Sequence, residues 1–165
     1  MESGLKEKIQ NDLREAMKAS DSFKLSVLRM ISAALHNKEI EKRTKLVKAG
    51  GLAPAELSEQ SGLNEEETIE TLSSEVKKRK EAVLEYERGG RQDLADKEKL
   101  EINVLKQYLP EELSGEDLKK IVSEAIQEVG AQSQKDFGKV MSVLMPKVKG
   151  RADGAKISEI VRELL

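Results

Sequence analysis

The regular spacing of apolar residues is the feature that most limits how this chain can fold. Along most of its 165 residues they recur three and four positions apart, the period of a helix with one buried face. One long run starts after Asn64 and stops at Gly89 and Gly90, and a second run resumes a few residues later. Two long helices joined by a two-glycine turn predict an antiparallel helical hairpin.

One charged residue, Arg79, lies on the apolar stripe of the first hairpin helix. The residue numbers of facing positions in an antiparallel hairpin have a nearly constant sum. Pairing Tyr86 with Leu94 therefore places Arg79 opposite Glu101 or Ile102, and Val83 near Glu98. We therefore predict a partly buried ion pair of Arg79 with Glu98 or Glu101 that fixes the register of the hairpin. The functional alternative is a catalytic arginine and carboxylate.

Two further helices precede the hairpin. The first spans 5–19, and the second begins near Phe23 and loses its periodicity after Ile40. The glycines and proline in the following stretch predict a loop over 43–63, with a helical turn as the alternative for "PAELSEQ" (54–60). Asn64 and the three glutamates after it then predict a capped helix start, because acids favour the positive end of the helix dipole.

Pro110 marks the best domain boundary, and Ser114 restarts a helix with Asp117 three residues on. Three short amphipathic helices follow and can enclose one small core. Their middle helix is predicted to end around Pro146, with an inner stripe of Phe137, Val140, Met141, Leu144 and Met145. We predict an all-α protein with a helical N-terminal domain over 1–110 and a three-helix C-terminal domain over 111–165.

Composition excludes several classes of function. Only four aromatic residues occur and none is tryptophan, so nucleic-acid modules that stack successive bases on rings are disfavoured. Cysteine is absent, which removes disulfides, thiolate metal sites and thiol nucleophiles. His36 has no partner at a triad or metal-motif spacing, and we expect it to be exposed. We expect no catalytic residue, metal or cofactor, no membrane contact, and a cytoplasmic location.

The strongest candidate for binding lies near the C-terminus. Between 137 and 152 the chain carries four cations and no acid, next to the start of the last helix. Amides at a helix N-terminus and nearby cations can together hold a phosphate. The alternative is an ordinary helix connection, in which Pro146 and Gly150 stop one helix, Asp153 caps the next, and Lys147 and Lys149 keep the turn hydrated. The candidate nucleic-acid-binding residues are Lys139, Lys147, Lys149, Gly150, Arg151 and Lys156.

Three stretches of the sequence together resemble the YqeY family: "KLSVLRMISAALHNKEIE" (24–41), "EVKKRKEAVLEYERGGRQDLADKEKLEINVLKQYLPEELS" (75–114) and "DFGKVMSVLMPKVKGRADG" (136–154). These are bacterial proteins related to the C-terminal tail of GatB, the tRNA-binding subunit of aspartyl/glutamyl-tRNA amidotransferase. The resemblance runs in order along nearly the whole chain, and "KAGGLAPAELSEQSG" is longer than expected. The basic turn of the tail corresponds here to residues 149–154.

The resemblance implies an all-helical protein whose last three helices form a tail-like domain. It also implies an accessory, non-catalytic role in tRNA binding or alongside amidotransferase proteins, with tRNA or tRNA-modifying enzymes as partners. Two alternatives remain open. One is a protein–protein adaptor without RNA binding, and the other is a component of glutamine-dependent carbon–nitrogen ligase activity within a larger complex.

Overall fold

The computed structural model of the protein describes residues 4–165, and all regular structure in them is helical. Residues 1–3 of the predicted N-terminal domain lie outside this range. The all-α class predicted from the sequence is confirmed. A single 3-10 turn covers Gln134–Asp136, and the α-helices in chain order are α1 (Leu5–Lys18), α2 (Ser22–Ala49), α3 (Pro54–Gln60), α4 (Glu65–Arg88), α5 (Gln92–Lys106), α6 (Gly115–Val129), α7 (Phe137–Val148) and α8 (Gly154–Leu164).

The chain divides into two compact units, Met1–Leu109 and Pro110–Leu165, each with a hydrophobic core of its own. We call them the N-terminal unit and the C-terminal unit. One face each of α1, α2, α4 and α5 forms the first core, in which Leu28, Leu72 and Leu105 are fully buried. The apolar faces of α6, α7 and α8 form the second core, around Val122, Leu144, Val161 and their neighbours.

Side-chain caps begin two of the helices where the sequence indicated. The Asn64 side chain accepts a hydrogen bond from the Glu67 amide at 2.8 Å, and the Glu67 carboxylate accepts one from the Asn64 amide at 2.9 Å. The Ser114 hydroxyl accepts from the Asp117 amide at 3.1 Å. Each cap satisfies backbone donors that the first helical turn leaves without partners.

Arg79 is buried in the α4–α5 hairpin, with only 7% of its surface exposed. Its Nε lies 3.2 Å from a carboxylate oxygen of Glu101, and its Nη1 lies 2.8 Å from one of Glu75. Nη2 also donates to the sulfur of Met30 on α2. Glu98, the other predicted partner, is half-buried and forms no ion pair with Arg79 in residues 4–165. The guanidinium therefore connects α4 to α5 and to α2.

The carboxylate of Glu75 reflects this environment. Burial opposes its charged form, but the hydrogen bonds from Lys78 and Arg79 outweigh burial and lower the pKa of Glu75 below its ordinary value. The side chain of Glu75 is one turn before Arg79 on α4, at a spacing where oppositely charged side chains meet. Glu75 thus stays charged and supports the buried guanidinium.

The predicted loop over 43–63 is wrong for residues 43–49, and over 54–60 the structure agrees with the alternative of a helical turn. Helix α2 continues to Ala49 and α3 occupies Pro54–Gln60, so only two short connections are irregular. The Nζ of Lys42 donates to the carbonyl of Gly62 at 2.9 Å and to Glu67 at 2.7 Å. These contacts tie α2 to the start of α4 and sustain helix where the apolar period has faded.

The middle C-terminal helix, predicted to end around Pro146, continues two residues further to Val148, which is fully buried. A proline removes one amide donor and crowds the carbonyl four residues earlier, and near the end of a helix the burial of Val148 offsets this cost. Met145, predicted as core, is 39% exposed, and Met17 on the stripe of α1 is 53% exposed. Both lie at the edges of their apolar stripes.

Tyr108 anchors α1 to the end of the hairpin. Its ring is 3% exposed, its hydroxyl donates to Asp12 at 2.6 Å, and the Lys8 ammonium lies 5.5 Å from the ring centroid. Burial disfavours the phenolate, and the bond to the Asp12 carboxylate favours the neutral hydroxyl. Both effects raise the pKa of Tyr108 well above its usual range.

We expect Arg79→Ala to lower the free energy of unfolding of the N-terminal unit by about 3 kcal/mol, because the largely buried Glu101 loses its cation and Glu75 keeps only Lys78. Urea unfolding followed by tyrosine fluorescence measures this, since both tyrosines belong to that unit. Arg88→Ala is the matched control on the same helix, because the Arg88–Glu85 pair is exposed. Equal losses in the two variants would contradict the assignment.

The raised pKa of Tyr108 predicts how the stability of the N-terminal unit changes at alkaline pH. Its folded-state pKa is raised, so its contribution is complete below about pH 10, the ordinary pKa of tyrosine, and decreases as the pH rises above that value. Tyr108→Phe should therefore lose less unfolding free energy than the wild type between pH 9 and pH 11. Urea unfolding followed by methyl NMR signals of Ile31 measures it, with Tyr86→Phe as control; parallel pH curves for all three proteins would refute it.

Candidate nucleic-acid interface

The connection between α7 and α8 carries the centre of the predicted site. It covers residues 149–153, and Gly150 adopts a left-handed conformation with φ of 73° that suits glycine. The Arg151 carbonyl accepts a hydrogen bond from the Leu113 amide at 2.8 Å, and the Arg151 amide donates to Val148 at 2.9 Å. Hydrogen bonds to both sides of the connection thus fix its backbone within the C-terminal unit.

Lys139 lies in the first turn of α7 and pairs with Asp136 at 3.0 Å. Asp136 also accepts a weaker hydrogen bond from the Gln132 amide at 3.3 Å. The hydrogen bond from Lys139, followed by that from Gln132, lowers the pKa of Asp136. Lys139 therefore serves the local structure at the start of α7 and is the weakest candidate for an external anion.

Lys147 lies in the last turn of α7, and its Nζ is 2.6 Å from Glu128 in the last turn of α6. Both side chains remain accessible, with 44% and 53% of their surfaces exposed. An ion pair this exposed to water contributes little to stability. The ammonium of Lys147 can therefore exchange its partner without disturbing the core.

The remaining candidates lie on the connection and on α8. Lys149 is half-buried at the end of α7, and Lys156 is exposed in the first turn of α8. Arg151 is half-buried as a residue, and its Nε donates to the Glu111 carbonyl at 3.3 Å in an exposed hydrogen bond. The structure thus places all six candidates on α7, its connection and the start of α8.

The N-terminus of α8 agrees with the alternative prediction of an Asp153 cap, and differs from the prediction of amides that receive a phosphate. Asp153 caps this helix, and its carboxylate accepts a hydrogen bond from the Ala155 amide at 2.8 Å. A negative charge belonging to the protein therefore already occupies this end of the helix dipole. An external anion at this turn would depend on side chains.

Sequence reasoning missed the acidic partners of the candidate lysines. Asp136 lies three residues before Lys139, and this helical spacing could have indicated the pair. Glu128 is 19 residues from Lys147 on another helix, so only the packing of α6 against α7 brings them together. Nothing in the local sequence signals that contact.

The rest of the described chain offers less specific features. Grooves of about 310 and 260 Å³ lie between α2 and α4, with lysines and glutamates of both signs along them. His36 is exposed, and its Nδ1 lies 4.0 Å from Glu39. No group of three or more metal-ligating side chains occurs in residues 4–165. Within the same range, no helix has the length and apolar character to cross a bilayer.

Comparison with known proteins identifies relatives of the chain. A family model described as "Yqey-like protein" matches residues 6–165. The chain is 30% identical over 139 residues to "Altered inheritance of mitochondria protein 41, mitochondrial" of Candida glabrata, covering 80% of this chain and 68% of that protein. Proteins of the same name from Vanderwaltozyma polyspora and Kluyveromyces lactis are 28% and 26% identical, over 80% and 61% of this chain.

The match spans between 45% and 68% of the length of these three fungal proteins. The names of these fungal proteins refer to mitochondria. They specify neither a ligand nor a reaction, so the similarity establishes relationship and leaves activity and partners as proposals.

The cap of α8 gives a direct test of the local geometry. We expect Asp153→Ala to destabilise the C-terminal unit by about 1 kcal/mol, because the Ala155 amide loses its acceptor, and Asp153→Asn to change it by only a few tenths. Urea unfolding followed by methyl NMR signals of Val140 and Leu144 reports on this unit. A loss in the asparagine variant as large as in the alanine variant would show that the carboxylate acts by charge and not as a cap.

Proposed function

The chain belongs to the YqeY family, and we propose that it is an accessory tRNA-binding protein, related to tRNA amidotransferases, that acts through its C-terminal unit. The family relationship to the tRNA-contacting tail of an amidotransferase supports the choice of ligand. In this role the chain binds tRNA, and its partner proteins catalyse any reaction.

The observation that carries the proposal is the distribution of charge on the last two helices. Residues 137–152 hold four cations and no acid, and the connection that bears two of them is fixed by backbone hydrogen bonds. Phosphate contacts made by lysine and arginine side chains supply most of the affinity of proteins for nucleic acids. Lys147 and Lys156 are exposed, so a phosphate backbone can reach them without unfolding the unit.

The same role applies if the chain is one subunit of a larger tRNA-modifying complex. If carbon–nitrogen ligase activity with glutamine as amido donor involves this chain, we propose that other subunits carry the reacting groups. We also propose a cytoplasmic location for this chain, whereas the fungal relatives bear mitochondrial names. Because tRNA serves translation in both compartments, the proposed role fits either.

A protein–protein adaptor is the second candidate function. It is favoured by Leu84 and Leu100, two hairpin leucines that are 53% and 55% exposed although the hairpin has a well-formed core. Exposed leucines on long helices are typical of surfaces that pack against a partner helix. A protein complex that survives nuclease treatment and is lost in Leu84→Lys or Leu100→Lys variants would favour this function over RNA binding.

Titration with unfractionated bacterial tRNA tests the first proposal. We expect binding whose affinity decreases steeply with salt, and a decrease of roughly two to three in the log–log salt slope when Lys147, Lys149 and Arg151 are all replaced by alanine. Fluorescence anisotropy of labelled tRNA between 50 and 200 mM salt measures both quantities.

The matched control removes three charges elsewhere in the C-terminal unit, by replacing Lys119, Lys120 and Lys135 with alanine. This variant has the same net charge as the test variant, so it should retain most of the wild-type affinity and salt slope. Absence of binding at low salt would refute the proposal. Equal losses in the two triple variants would refute the assignment of the site.

A further inference from the structure

We infer that Glu128 is an internal competitor for the RNA phosphate at Lys147, so that an autoinhibitory ion pair sets the affinity of the C-terminal unit. This inference rests on the proposed function and concerns how the same site is regulated. Lys147 Nζ lies 2.6 Å from the Glu128 carboxylate, in the geometry that it would offer to a phosphate oxygen. A phosphate that accepts from the same N–H displaces this carboxylate, and a phosphate that accepts from another N–H shares the charge of the ammonium with it.

The position of Glu128 is unfavourable for its own helix. It lies in the last turn of α6, where the helix dipole is negative and where the helix carries no basic residue. Lys147, in contrast, lies in the last turn of α7, where a cation is favoured. The negative charge of Glu128 is therefore explained by its contact with Lys147 and not by stabilisation of α6.

The two acidic partners in this region differ in how readily they release their lysines. Asp136 is 23% exposed, is held by a backbone amide as well, and pairs with Lys139 within one helical turn. Glu128 is 53% exposed and has Lys147, from another helix, as its ion-pair partner in the described residues. Of these two pairs, the one between Lys147 and Glu128 is therefore the easier to exchange, because its acid is exposed and has no second bond to the backbone like that of Asp136.

Glu128→Gln tests the inference by removing the competing charge while keeping the shape of the side chain. We expect it to tighten tRNA binding roughly two- to fivefold at about 0.1 M salt, the range for breaking one exposed ion pair, and less at higher salt. Glu124→Gln is the matched control, because Glu124 is exposed on the same helix and forms no ion pair in residues 4–165. It should show only the small general effect of one lost negative charge.

A double-mutant cycle completes the test. In a Lys147→Ala background, Glu128→Gln and Glu124→Gln should change affinity equally, because the competed cation is gone. Equal effects in the wild-type background, or weaker binding by Glu128→Gln, overturn the inference while the proposed function stands. Binding by Glu128→Gln at about 0.1 M salt, where the wild type binds measurably only at lower salt, supports it. Absence of binding by both refutes the proposed function and this inference together.

Discussion

The buried guanidinium of Arg79 is the interaction on which the N-terminal unit depends. It holds Glu101 of α5 on one side, Glu75 of its own helix on another and the Met30 sulfur of α2 on a third. A shift of α5 along α4 by even one turn would leave charged groups in the core without partners, at a cost that apolar packing does not recover. The polar network thus selects one register for the hairpin, and α2 packs against that register.

The C-terminal unit uses charge differently. Its core is entirely apolar, and its charged side chains lie at the surface. Glu128, Asp136 and Asp153 each accept a hydrogen bond from a donor that could otherwise bind an external anion. An anion held by long lysine side chains gains affinity from the number of contacts and from released counterions more than from a close fit. Such a surface is better suited to a polymer of phosphates than to one small phosphate ligand.

Much of this architecture follows from local patterns, and the exceptions have identifiable causes. The caps at Asn64 and Ser114 lie where short sequence patterns predicted them. The contact of Arg79 with Glu101 is one of the pairings predicted from the residue numbers of facing positions in the hairpin. The helix over residues 43–49 depends on the contact of Lys42 with Glu67 at the start of α4. These two residues are 25 positions apart, so patterns in a short stretch of sequence do not reveal the contact. The contact of Glu128 with Lys147 likewise joins residues far apart in the sequence. The candidate interface is therefore less basic in the folded unit than its sequence suggests.

Helix α2 combines two kinds of support within one continuous element. Its 28 residues extend over about 42 Å, yet its buried residues, Val27, Leu28, Ile31 and Leu35, all belong to the first half. The second half is held mainly by Lys42 and by contacts with the short helix α3. Local opening free energies follow burial, so we expect amide hydrogens in the last turns of α2 to exchange with solvent faster than those in the first half. Continuity of the helix therefore does not imply uniform stability along it.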